Sequence, residues 1–442
     1  MKLTKIVSAL LAAIILLLSA ACGQNVITGP DQPGSTEEQT TERKPFVYTP
    51  GEGIKLLTAP VFVSTRQEQE ISDEFKKNYA SFSLELLSRS AGGKTALVSP
   101  LSVLTAMLMT ANGAKGETLA ELEKVLGGGM PVEEMNAQLY SFFETLCRSE
   151  KTVFESANSV WVTDSPSFHV DEDFIKLVEN TFRAEIAEAP FTEPATVDAI
   201  NDWCAQHTDN MIKKVLEYTD VSADTVMVLI NALCFEALWR VQYEDHQISD
   251  RTFNGEKGTK AVKMMYSEES GYIKGEHETG FIKYYEGNEY AFMALLPESG
   301  MKMEDYLKTL TGERFVKLAE SRGGVVKAGI PQFKLDWSAS LVDVLAKMGI
   351  ELAFTTRSDL SGLGYDDSGY PLYISDVIHK THIEVDNAGT KAAAVTAVIV
   401  NKATAVYNPT IPPEVILDRP FVYAIVDTET MLPVFIGCVT DF

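Results

Sequence analysis

The sequence predicts an α+β fold, and three observations predict it. Helical apolar spacing dominates from residue 71 to residue 216, whereas strands dominate after Val226, an order unlike the βαβ alternation of a doubly wound sheet. The chain has 442 residues, 45% of them apolar, enough to bury a large core and to exclude disorder of the bulk. It shows no internal repeat and no domain boundary after residue 69.

The N-terminus reads as an address rather than as core. Lys2 and Lys5 precede an apolar run from Ile6 to Ala21, and Cys22-Gly23 follows, so residues 1–21 are expected to be a secretory signal peptide. The ending Leu18-Ser19-Ala20-Ala21-Cys22 resembles a bacterial lipoprotein lipobox, with its Leu one place further upstream than usual. That resemblance implies lipidation of Cys22 and a protein anchored on the extracellular face of a bacterial cell; simple cleavage would leave it secreted. Residues 22–68, rich in Thr, Pro, Glu, Gly and Gln, read as a flexible tether with a random-coil span of about 40 Å.

The expected elements of residues 69–442 follow in order. Ile71–Ser88 carries a helical stripe of Phe75, Tyr79, Phe82, Leu86 and Leu87; Leu97–Ser99 is a brief strand; Pro100 opens a helix over Leu101–Ala111 that Asn112-Gly113 closes. Helices are expected over Thr118–Leu126, Glu133–Cys147, Asp171–Phe182 and Asp198–Leu216, with a strand at Ser156–Val162. Strands follow at Val226–Phe235, Thr252–Phe253, Ala261–Met265, Phe281–Tyr285 and Tyr290–Leu296, then a helix at Met303–Leu310. The remainder reads as a strand at Val325–Leu335, a helix at Ser338–Met348, and strands at Ile374–Val377, Ile383–Val385, Val415–Val426 and Val434–Thr440.

One stretch departs from this pattern. Gly389–Pro413 runs through small and β-branched residues from Ala392 to Val400, with no proline before Pro409, so its composition favours an extended strand. One face of that strand, Thr390, Ala392, Ala394, Thr396, Val398 and Val400, is small and uncharged throughout. Yet Lys402 to Pro413 reads as an exposed loop, and an exposed apolar β-rich run is an aggregation hazard unless it has a strand's task to perform.

The classes of function narrow by elimination. A net charge of −24 argues against nucleic-acid binding, which needs clustered Lys and Arg; it fits plain solubility or a cationic partner. No GxSxG, HExxH or GxxxxGK[ST] occurs, and six histidines leave few general bases. His379 and His382 read as structural histidines. Cys147, Cys204, Cys234 and Cys438 lack zinc spacing, so no metal or cofactor is expected; Cys234 and Cys438 lie in apolar runs, and a disulfide is left open.

The chain resembles the serpins. Val415–Ile425 (VILDRPFVYAI) agrees throughout with the pattern that family carries just after its reactive loop, and Leu97–Gly127, Leu229–Trp239, Ile330–Leu335, Leu341–Phe354 and Tyr373–Ala394 fall in the family's order. The resemblance covers about residues 69–442 and implies helices packed on three β-sheets, with an exposed reactive loop. It also implies a suicide mechanism: a protease cleaves the loop, forms an acyl-enzyme, and is trapped as the hinge segment inserts into the largest sheet. Insertion requires a segment without proline, small side chains and a glycine pivot, which Gly389, Thr390, Lys391, Ala392, Ala393 and Ala394 supply.

By the same resemblance Ser99, Ser102, Asn231 and His379 stand in the region where the strands part, and Trp239 where insertion begins. Two departures stand out: Asn387, Ala388 and Lys391 replace residues that are commonly acidic, and the loop is longer than usual. Counting fourteen residues from Gly389, a strand of about 46 Å, places the scissile bond at Ala403–Thr404, which suits an elastase-like serine protease. Lys402 is the alternative and would suit a trypsin-like enzyme; subtilisin-like targets stay open. The expected activity is therefore inhibition by a monomer of extracellular serine proteases, and the alternative is a non-inhibitory serpin acting as a surface binding protein.

Overall fold

The computed structural model describes residues 51, 53–57, 68–149, 151–208, 210–222, 224–321, 323–390 and 411–442. All of them belong to the compact unit Val47–Phe442. The signal peptide with Cys22, most of the tether, and the loop residues Lys391, Ala392, Ala393, Ala394, Lys402, Ala403 and Thr404 lie outside the described residues.

The order of elements begins with β1 (Lys55–Leu56), α1 (Asp73–Ala91), β2 (Ala96–Val98), α2 (Pro100–Ala111), α3 (Gly116–Gly127) and α4 (Val132–Leu146). Then come β3 (Val153–Thr163), β4 (Phe168–Val170), α5 (Glu172–Phe182), β5 (Glu185–Ala189) and α6 (Pro194–His207). The strand-rich part runs β6 (Met227–Leu238), β7 (Ile248–Asn254), β8 (Thr259–Glu269), β9 (Gly271–Lys274), β10 (Glu278–Tyr284) and β11 (Tyr290–Pro297). It continues with α7 (Met303–Thr309), α8 (Gly312–Ala319), β12 (Val326–Pro331), β13 (Phe333–Ser340) and α9 (Val342–Met348). β14 (Gly364–Asp366), β15 (Ile378–Val385), β16 (Gly389–Thr390), β17 (Glu414–Ile416), β18 (Phe421–Asp427) and β19 (Pro433–Val439) complete it.

These strands build a seven-stranded sheet ordered β1-β5-β3-β6-β16-β15-β13, a six-stranded sheet β2-β19-β18-β11-β10-β9 and a four-stranded sheet β17-β12-β8-β7, with a small ribbon β14-β4 besides. Ser99 caps α2 by accepting from Ser102 N, and Pro100 fills the first helical position where no N–H is missed. α2 is apolar nearly all round and almost wholly buried, as a helix enclosed between layers must be. α6 lays Ile200 and Trp203 over Trp161 and Ile230 of the seven-stranded sheet. No helix among the described residues is long and apolar enough to cross a membrane.

Four expectations change. The helix expected to reach Leu216 stops at His207, because the Asn201 side chain accepts from Val215 N and Leu216 N and folds that segment back on the helix. Residues Ser338–Ser340, expected to be helical, extend β13 because they pair with Lys380, His379 and Ile378. Residues 374–377 are not a strand; Ile374 N donates to Ala353 O, and β15 instead begins at Ile378 and runs on through Lys380–His382. The run Val415–Val426 divides at Asp418–Pro420 and sends β17 and β18 into different sheets. β5 and α8 were not expected at all: β5 is five residues with two glutamates, too short for a clear period.

Candidate functional site

The site is a slot in the seven-stranded sheet. β6 and β15 each pair with β16, and among the described residues they do not pair with each other. β16 is two residues long: Gly389 lies opposite Leu238, and Thr390 lies opposite Ala237 on one side and Val385 on the other. Thr390, the last described residue before the loop, therefore lies inside the sheet. Gly389 is required here by close approach, since a Cβ would stand 2.1 Å from Ala237 O and 2.8 Å from Leu238 Cα.

Thr390 is 2% exposed and shares a 2.6 Å hydrogen bond with the Tyr285 hydroxyl. Tyr285 stacks on Trp239 at 4.5 Å with 8° between the ring planes. Trp239 in turn holds the approach to the hinge. Its Nε1–H donates to Asp386 O and its backbone N–H to Ala388 O, both at 2.8 Å, while Tyr243 N donates to Asn387 O at 2.9 Å. The Asp386 carboxylate accepts from Ala388 N and Gly389 N, closing a tight turn just before the hinge. Of the two residues that replace usual acids there, Asn387 is exposed but Ala388 is buried, so only the first faces solvent.

Lower in the slot Ser99, Ser102, Asn231 and His379 form one connected chain. Ser99 N donates to His379 Nε2 at 3.0 Å, Ser102 N donates to Ser99 Oγ at 3.2 Å, and Ser102 Oγ donates to Asn231 O at 3.4 Å. The Asn231 amide donates to Asn158 Oδ1 and Ser156 Oγ, and its Oδ1 is buried with no hydrogen-bond partner among the described residues. Between β6 and β15 the polar groups are thus present, with one acceptor free among the described residues to take a donor. Below them a cavity of about 780 Å³ lies between Val226–Asn231 and Ile374–His379, floored by Val103 and Met107 of α2.

Sequence reasoning singled out Gly389, Thr390, the four residues of the polar chain and Trp239; the structure joins those four by hydrogen bonds and places Trp239 apart from them, at the top of the slot beside Thr390. It missed Tyr285, Asp386 and Asn158, which contact these residues. Asn158 was detectable, as an amide inside an otherwise strand-like run; Tyr285 gives no signal beyond strand composition. His382 sits on the opposite face from His379 and meets Asp336 at 2.6 Å, and no group able to hold a metal occurs among the described residues. Cys147, Cys204, Cys234 and Cys438 form no disulfide among the described residues.

Burial holds the His379 imidazole neutral, with its pKa pushed down from 6.5 to about 4. A depressed pKa means that the unfolded chain takes up a proton near 6.5 which the folded chain refuses until about 4, so this contribution to stability is complete above pH 6.5 and is lost as pH falls through 4. The whole loss is roughly 3 kcal/mol. Thermal unfolding at pH 7 and pH 4.5 is expected to show a larger drop in the wild type than in His379→Gln, and equal drops would remove His379 from the acid response.

Comparison with known proteins agrees with this architecture. The family model Serpin (serine protease inhibitor) matches residues 77–442. Tengpin, a thermophilic serpin solved in its native state, is 39% identical with a TM-score of 0.78, covering 85% of this chain and 96% of its own. Neuroserpin of Gallus gallus is 31% identical, over 77% of this chain and 84% of its own, and the leukocyte elastase inhibitor of Sus scrofa is 29% identical, over 80% and 96%. The chain belongs to the serpin family and has the α+β serpin fold.

Proposed function

We propose that this serpin inhibits extracellular serine proteases by suicide loop insertion, as a monomer whose only attachment to a membrane is an N-terminal lipid. The observation that carries the reading is Thr390, buried in register between Ala237 and Val385, above a stretch where β6 and β15 do not pair with each other among the described residues. Continuing that register six residues along each strand brings Thr396 level with Asn231 and His379, where its hydroxyl would supply the donor that Asn231 Oδ1 lacks. Val400 would come level with Met227, the first residue of β6, so the run Gly389–Val400 has the same length as the twelve-residue strand it must follow. Every second residue from Thr390 to Val400 is small and uncharged, and Thr390 fixes that face toward the Tyr285 side of the sheet.

Elastase-like enzymes are the first-choice targets. Ala403 offers a small side chain to the primary pocket, and the similarity to proteins named for inhibition of leukocyte elastase supports the same choice. Mass spectrometry of the fragment released on reaction with elastase is expected to show Thr404 as its first residue. A fragment starting at Ala403 would place the bond after Lys402 and favour a trypsin-like target instead.

The anchor is the second part of the proposal. Lipidation of Cys22, with residues 22–68 as tether, would hold the inhibitor at the cell surface within reach of incoming proteases. Cys22→Ser is expected to move the protein from the membrane fraction to the medium; retention in the membrane would refute the anchor.

A further inference from the structure

The four-stranded and six-stranded sheets meet near the Trp239–Tyr243 turn in a buried ion pair that the loop-insertion reading does not use. Lys283, at the end of β10, is 2% exposed and donates to Glu269 Oε1, at the end of β8, at 2.8 Å. Glu269 is 8% exposed and also accepts from Ser267 Oγ at 2.7 Å, while the Tyr243 and Ser267 hydroxyls lie 3.2 Å apart. Lys283 Nζ also donates to Val241 O at 3.2 Å and stands 4.4 Å from the centre of the Tyr243 ring and 5.4 Å from that of Trp239. The ammonium is thereby tied by carbonyl and rings to Trp239–Tyr243, the same turn whose N–H groups hold Asp386, Asn387 and Ala388.

A buried ion pair is a poor source of stability, because the cost of desolvating two charges roughly cancels their attraction and apolar replacements serve as well. What such a pair supplies is a defined geometry: the ammonium must be met by the carboxylate and the carbonyl together, which permits one position of the turn. We propose that Lys283 and Glu269 are positioning residues that fix the Trp239–Tyr243 turn and, through it, keep Gly389 and Thr390 aligned with the slot, so that insertion outruns release of the protease. This rests on the loop-insertion reading. It is distinct from it, because the pair touches neither the loop nor the protease.

The test uses the full chain carrying Lys283→Met with Glu269→Leu, which removes both charges and keeps the volume. The expected result is a melting temperature close to the wild type, amide exchange at Trp239 and Tyr243 faster by about tenfold in the uncleaved protein, and several-fold more inhibitor consumed per protease trapped. Lys283→Arg, which keeps donors for both Glu269 and Val241, is expected to restore both readouts. If the double variant does not fold, Glu269→Gln, which keeps the shape and removes the charge, carries the same measurements. Unchanged exchange in a folded variant overturns the proposal, as does faster exchange with unchanged stoichiometry, the mark of a merely structural pair. If the wild type itself traps no protease, the reading of function fails, and exchange at Trp239, Tyr243 and Thr390 decides on the pair alone.

Discussion

Cutting the loop is expected to make the protein more stable, not less. Beyond Thr390, continuing the register would set Lys391–Val400 opposite β6 and Lys391–Ala397 opposite β15, two strands that do not pair with each other among the described residues. At about 1 kcal/mol net per hydrogen bond, that insertion stabilises the cleaved form by on the order of 10 kcal/mol. For a domain of this size such a gain raises the melting temperature by on the order of 10 °C. The filled cavity of about 780 Å³ and the newly partnered Asn231 act in the same direction. Differential scanning of the intact protein and of the protein nicked after Ala403 measures it directly. An unchanged midpoint would mean that Gly389 and Thr390 are the whole of the insertion and that the slot below them has no role.

The second large effect is expected at Thr390. This position is 2% exposed, flanked by Ala237 and Val385 and hydrogen-bonded to Tyr285, and no carboxylate is among these neighbours. Thr390→Arg would bury a charge among these uncharged neighbours, at a cost of several kcal/mol that the chain escapes by leaving the slot. With its first residue held out, the hinge starts insertion late and the acyl-enzyme hydrolyses first. The variant should be cut at the same bond as the wild type but should consume at least about tenfold more inhibitor per protease trapped, since each 1.4 kcal/mol added to the insertion barrier diverts a factor of ten. Titration of elastase activity reads this ratio. Undiminished trapping by Thr390→Arg would show that Thr390 need not enter the sheet.

Much of this was legible in the sequence because it lies in local composition. The alternation of small residues from Thr390 to Val400, the absence of proline and Gly389 itself are visible without a structure, and they single out the segment proposed as the hinge. The reason for the glycine was not legible: it answers to the carbonyl of Ala237, more than 150 residues earlier in the chain, and not to a turn. Lys283 and Glu269 were opaque for a related reason. Each stands at the end of an ordinary strand, and only the convergence of two sheets under the Trp239–Tyr243 turn turns two surface-type residues into a buried pair. Boundaries failed where tertiary contacts overrode local preference, as at the end of α6, where Asn201 recruits the chain at Val215 and Leu216.

The central claim is that the loop is a trap and not merely a substrate or a surface. Its most direct test is electrophoresis in SDS of the protein mixed with a limiting amount of elastase. The account predicts a covalent band at the summed mass of the protease and the cleaved serpin, formed at a ratio near one inhibitor per enzyme. Complete loop cleavage with no such band, for elastase and for trypsin-, chymotrypsin- and subtilisin-like enzymes alike, would contradict it.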